Sequence, residues 1–343
     1  MKTIMLKSKV LALCLLGMLL FSCKVDRPLG LVSVAGRSIL VNYVPYLIKG
    51  ICYHPVPKGS DSRDFGNLKH DLALMKEAGI NTIRVYEPIA EKAVLDRIAE
   101  AGFKVIIGFG YNQGGVYDIL SGSFLAYVKK YKSHRAILLW ELGNEYNYHP
   151  EWFNNDIKNW YTALNKAAIA IKEEDALHPV TTAHGELPDD LAMSLSPDID
   201  VWGMNVYRWD NPEKIFKEWA VISNKPMYLS EAGGDSFMTA TKNGYEMGVN
   251  ESAQADANSK ILDVVFNNTD ICSGVALFSF TDGWWKAGDN TAQDTGGIAP
   301  NSTGVPYDGS PNEEYWGIVD INRTKKETFE VVRKKYKSAA LNQ

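Results

Sequence analysis

The stretch LKHDLALMKEAGINTIRVY, residues 68–86, decides the fold. Leu68, Leu72 and Met75 recur at helical spacing, Gly79 stops that period, and Thr82 to Tyr86 continues as a short branched and aromatic run. A helix that feeds directly into a strand is half of a βαβ unit, and such units build parallel sheets through right-handed crossovers.

The unit repeats in both directions. Leu47 to Tyr53 is the strand before it, and Val94, Leu95 and Ile98 form the next helical face, ended by Gly102. Lys104 to Phe109 is the third strand, and its helix carries Phe124, Tyr127, Val128 and Tyr131. Ala136 to Gly143 is the fourth, followed by the stripe Ile157, Trp160, Leu164, Ala168 and Ile171. Val180 to His184, Val201 to Tyr207, Pro226 to Ser230 and Gly274 to Phe280 are strands five to eight. Helical segments follow each: a short piece at Asp189 to Leu195, one with Ile215, Phe216 and Trp219, one from Glu251 with Ile261, Leu262 and Val265, and a closing helix from Thr328 to Ser338. This order predicts an α/β fold, a (β/α)₈ TIM barrel. Ser33 to Tyr43 alternates around Ala35-Gly36-Arg37 and predicts a two-stranded β-hairpin ahead of it. Residues 284–316 form one long irregular insertion after the eighth strand, predicted to overhang the barrel mouth.

Composition bounds the rest. The chain has 343 residues, 45% hydrophobic and 22% charged, which excludes disorder. Four cysteines exclude a disulfide scaffold, and a net charge of −5 argues against a nucleic-acid surface. Lys2, Lys7 and Lys9 precede the apolar run Val10 to Phe21, the layout of a secretory signal. The run ends in Leu20-Phe21-Ser22-Cys23, which resembles a bacterial lipobox and implies lipid on Cys23. Ordinary cleavage, or a buried cysteine in a short apolar helix, is the alternative. The domain reading is a signal peptide at 1–22, a tether at 23–32 and one catalytic domain at 33–343. It places the protein in a bacterial cell envelope, with a lipid anchor as its one membrane contact. Removing 1–22 leaves 33 basic and 41 acidic residues, a charge of −8. Cys52 and Cys272 sit in apolar runs, either as buried thiols or as a bridge if their strands are neighbours.

In barrels of this type the reactive groups stand at the carboxyl ends of the strands. The polar residues there are Tyr53, His54, Arg84, Glu87, Asn112, Asn144, Glu145, His184, Glu186, Asn205, Tyr207, Glu231 and Asp282, followed by Trp284 and Trp285. Glu145 ends strand four and Glu231 ends strand seven, so the two carboxylates face each other across the mouth. Such a pair cleaves glycosidic bonds: with retention at a separation of ~5 Å, or with inversion at ~6.5–9.5 Å.

These residues resemble the retaining glycoside hydrolases of clan A. Trp140-Glu141-Leu142-Gly143-Asn144-Glu145 is similar to the run that ends strand four in the β-galactosidase and β-glucuronidase family, and Ser230-Glu231-Ala232-Gly233 supplies the strand-seven glutamate. The resemblance implies that Glu145 is the acid/base and Glu231 the nucleophile, and that Asn144 bonds the sugar 2-hydroxyl. It further implies that Arg84 keeps the nucleophile ionised, that Tyr207 touches the same carboxylate, and that Trp284 or Trp285 floors the sugar site. Lys49-Gly50-Ile51-Cys52-Tyr53-His54-Pro55 and Gly79 to Tyr86 are similar to fungal β-1,3-glucanosyltransferases and related β-1,3-glucanases, which adds Tyr53 and His54 to the substrate-binding set. Ala232 departs from that group, which carries an aromatic residue there. The hairpin and Tyr315-Trp316-Gly317-Ile318-Val319-Asp320 look more like the β-galactosidase family.

The expected substrate is an oligo- or polysaccharide, with β-1,3-glucan first. No cofactor and no metal are expected, and the oligomeric state stays open. Two alternatives stand beside hydrolysis: a non-catalytic glycan-binding lipoprotein on the same barrel, and a transglycosidase. Glu141 shares the parity of Glu145 about 13 Å lower, at ~3.3 Å per residue, and reads as half of a buried ion pair. Tyr111, Tyr146, Tyr148, Trp152 and Trp209 follow strand ends and are further subsite candidates; Trp160 and Trp219 read as packing.

Overall fold

The structure is a computed structural model, and it describes residues 30–110, 115–208, 212–295, 308 and 312–339. The expected leader, Cys23 and nearly all of the tether lie outside the described residues, as do Tyr111, Asn112 and Trp209. Eight parallel strands close into a ring: β4 (Ile48–Cys52), β5 (Thr82–Val85), β6 (Lys104–Gly108), β7 (Ile137–Asn144), β8 (Val180–Gly185), β9 (Val201–Asn205), β10 (Met227–Ala232) and β13 (Cys272–Leu277). They are the eight strands expected, in ring order, and the (β/α)₈ barrel stands. Helices at Leu68–Ala78, Lys92–Glu100, Leu125–Tyr131, Ile157–Glu174, Asp190–Leu195, Lys214–Ile222, Glu251–Asn267 and Glu327–Ala339 surround them. Gly79 ends the first of these at φ 80°, a left-handed position that suits glycine and lets its backbone N–H reach the carbonyl of Lys76. No helix among the described residues is long and apolar enough to cross a membrane.

The N-terminal hairpin has one strand more than the alternation suggested. β1 (Val32–Ala35), β2 (Ser38–Val41) and β3 (Val44–Pro45) form an antiparallel sheet. Val32 and Ile39 pack with Ile48, Ile106, Leu138, Leu139, Val201 and Tyr228, so this sheet seals the amino-terminal end of the barrel. Two residues, Val44 and Pro45, are too few to show a period, which is why β3 has no sequence signature. A two-stranded sheet, β11 (Phe237–Met238) with β12 (Gly248–Val249), is likewise new.

Cys52 and Cys272 are both free and buried. Their strands are neighbours, but Gly274 pairs with Ile48 and Leu277 with Ile51, so Cys272 stands near the floor of the ring and Cys52 near its top. The register therefore rules out the bridge.

Candidate active site

The barrel interior is built in layers. Above the apolar floor lies a polar layer centred on Arg84, which is fully buried. Its guanidinium donates to Glu141, from Nε to Oε2 at 2.9 Å and from Nη2 to Oε1 at 2.8 Å, and Tyr228 donates to Glu141 Oε2 at 2.8 Å. Glu141 is thus the buried ion-pair partner that its parity and depth suggested. The same guanidinium reaches upward: Nη1 donates to Glu231 Oε1 at 2.9 Å and Nη2 to Asn144 Oδ1 at 2.8 Å. One cation therefore braces two carboxylates at different depths, an arrangement suited to a planar fork of donors.

Glu231 lies opposite Asn205 in the β9–β10 register. It accepts from Tyr86 at 2.6 Å on Oε1 and from Tyr207 at 2.8 Å on Oε2, in addition to Arg84. Three donors hold this carboxylate in a fixed orientation. Tyr86 was legible in parity alone: it stands two residues beyond Arg84, so both side chains face the interior.

Glu145 has different surroundings. It follows β7 at φ 56°, a left-handed conformation that is uncommon away from glycine, and its N–H donates to the Ala183 carbonyl at 2.8 Å. Gly143, two residues before it, has φ 73°, and a Cβ there would stand 2.7 Å from Trp160. Burial, then the negative charge of Glu231, pushes the Glu145 carboxyl up to about 7, against the opposing pull of Asn205 and Arg84. The Glu145 carboxyl is thus able to carry a proton at neutral pH, beside a Glu231 carboxylate fixed by three donors. Asn144 Oδ1 accepts from Arg84 and, at 3.2 Å, from Asn205 Nδ2, which orients its amide nitrogen as the remaining donor. Ser230 Oγ donates to Asn205 Oδ1 at 2.7 Å and fixes that amide in turn.

Beside the Tyr86 that bonds Glu231, a cleft is lined by Tyr86, His54, Phe278, Trp285, Lys286 and Glu313 among others. His54 and Trp285 stand together, ring centres 5.0 Å apart. Burial first, then the charges of Arg63 and Lys286, lowers His54 to about 3, so the imidazole is neutral. Trp285 lines the cleft, whereas Trp284 turns its ring under Lys58 with the ammonium 4.5 Å away. Phe278, Lys286 and Glu313 carried no sequence signal; the last two come from the long insertion, whose described part does overhang the mouth.

Tyr53 is a correction. It is fully buried, and its hydroxyl donates to Asp71 Oδ2 at 2.7 Å, where Arg323 also donates. Cys52, next to it, pairs with Arg84 and points inward, so the strand alternation turns Tyr53 toward the helices and away from the mouth. Several other polar strand ends are structural. Asp282 accepts from Lys326 at 2.6 Å, His184 meets the Tyr161 hydroxyl at 3.1 Å, and Glu87 lies 3.8 Å from Arg63. Glu186 pairs with Arg208 at the rim. Among the described residues no group of three or more His, Cys, Asp or Glu is placed to hold a metal ion.

A parallel barrel with two glutamates at the carboxyl ends of its fourth and seventh strands, the charge of one felt by the other, defines the class of site. No family model and no curated protein matches the chain. Solved structures do. A GH2 β-galacturonidase from Eisenbergiella tayi bound to galacturonate is 23% identical with a TM-score of 0.67, covering 90% of this chain and 54% of its own. A β-D-glucuronidase of Dictyoglomus thermophilum is 18% identical with a TM-score of 0.66, covering 90% and 53%. A β-glucuronidase of Faecalibacterium prausnitzii is 19% identical with a TM-score of 0.66, covering 90% and 51%. The chain spans about half the length of each. At these identities the likeness is one of fold.

Proposed function

We propose that the protein is a retaining β-glycoside hydrolase. The observation that carries this reading is the contrast between Glu231, held by Arg84, Tyr86 and Tyr207, and Glu145, whose carboxyl rises to about 7. In the first step Glu231 attacks the anomeric carbon while the Glu145 carboxyl gives its proton to the departing oxygen, leaving a glycosyl ester on Glu231 and Glu145 as an anion. In the second step Glu145 takes a proton from water, whose oxygen displaces Glu231 and releases the sugar. Asn144, with its amide nitrogen free to donate, supplies a bond to the sugar 2-hydroxyl; Trp285 and His54 flank the ring.

β-1,3-Glucan is the first substrate we propose, on the local sequence resemblance. Incubation of the chain with β-glucans, β-mannans and β-galactosides tests it: release of sugar from a β-glucan, absent in Glu231→Gln, is the expected result, and release from another class alone contradicts the glucan assignment. A glycan-binding protein would need the aromatic cleft but not the Arg84-braced carboxylates, which is why catalysis is favoured. Chain-length analysis of products separates hydrolysis from transfer. We further propose anchoring in the cell envelope through lipid on Cys23. Loss of palmitate labelling in Cys23→Ser is expected.

A further inference from the structure

Resting on the glycosidase reading of the site, we infer that the Lys286–Glu313 ion pair makes the cleft selective for an uncharged sugar and closes it to uronic acids. Lys286 is the one cation among the described lining residues, and its Nζ lies 2.6 Å from Glu313 Oε2 and 4.3 Å from the centre of the Phe278 ring. A uronate carboxylate therefore has to displace Glu313, or stand beside Glu313 and Glu231 together.

The other cations around the mouth are engaged as well. Arg84 is shared between Glu141 and Glu231. Arg63 donates to the carbonyls of Glu87 and Pro88, both at 2.8 Å, and Arg208 is paired with Glu186 and Glu218. Lys58 covers Trp284. His54 is neutral. The segments 111–114, 209–211, 296–307 and 309–311 contain no lysine or arginine. A neutral sugar suits the pair: its hydroxyls donate to the carboxylate of Glu313 and accept from the ammonium of Lys286, and neither charge is left unpaired. This separates the chain from the uronic-acid enzymes whose barrels it shares, and discrimination of this kind comes from a repulsive group as much as from attractive ones.

Calorimetric titration of the full chain with neutral 1,5-aldonolactones of gluco and galacto configuration, and with the lactones of the matching aldaric acids, tests the inference without requiring turnover. The better neutral lactone is expected to bind at least about thirtyfold tighter than its acidic counterpart, the scale of one unfavourable like-charge contact. Glu313→Gln removes the repulsion and frees Lys286, and is expected to narrow that ratio by about tenfold or more. Equal binding of the two sets, or tighter binding of the acids by the unaltered chain, overturns the inference. Failure of the glycosidase reading shows elsewhere: neutral lactones would bind with the stated preference while a 2-deoxy-2-fluoro glycoside left Glu231 unlabelled.

Discussion

Glu145 and Glu231 are chemically identical side chains, and in the proposed mechanism their surroundings divide the work between them. Three donors fix the orientation of the Glu231 carboxylate, while burial and the facing charge reward the proton at Glu145. Because the acid form of Glu145 is the one that works, kcat/KM is expected to hold below pH 7 and to fall about tenfold per unit as pH rises beyond it. In Glu145→Gln that alkaline limb disappears, and substrates with poor leaving groups lose about 10²–10⁴ in rate while activated aryl glycosides lose less; an unchanged limb would assign the titration to another group. Arg84 carries a structural cost as well. Arg84→Met leaves Glu141 buried without its cation, and chemical denaturation is expected to show a loss of about 3–5 kcal/mol. Residue-level legibility followed parity only in part. Arg84 and Tyr86 share one inward parity, whereas Glu145 and Glu231 reach the site through breaks in the alternation, at the left-handed Glu145 and at the register shift between Leu229 and Glu231, and Tyr53 stands one residue out of phase with Cys52 and faces the helices.

At the scale of elements, the barrel strands were readable because both faces of a parallel strand are buried, which leaves continuous runs such as Lys104 to Phe109 bounded by glycine stops. Short strands held by tertiary contact, β3 and the β11–β12 pair, leave no period to read. The N-terminal sheet has a clear physical task, to cover the apolar floor formed by Ile48, Ile106, Leu138 and Leu139. Ile39 is wholly buried against that floor, so Ile39→Ala is expected to cost about 2–5 kcal/mol. Since it lies at the far end of the barrel from Glu145 and Glu231, kcat measured well below the melting transition should stay within about twofold of the unaltered chain, as expected for a core change remote from the site. A large fall in kcat at unchanged stability would contradict the floor role.

The whole molecule stacks these parts along one axis: sealed floor, buried Arg84–Glu141 layer, carboxylate pair, and a mouth roofed in part by the insertion after β13. The charge layer could not be read as a network from sequence, because it joins β5, β7 and β10 across the ring and no local spacing records that closure. Glu141 announced a buried ion pair through its parity, and the family resemblance implied that Arg84 and Tyr207 meet Glu231. The proposed mechanism requires that Glu231 become covalently bonded to the sugar during turnover. Peptide mapping by mass spectrometry after incubation with a 2-deoxy-2-fluoro β-glycoside of an accepted sugar measures this directly. The account predicts one stoichiometric glycosyl adduct on the peptide containing Glu231, absent in Glu231→Gln; turnover of the parent glycoside with no adduct, or with the adduct on Glu145, would contradict it.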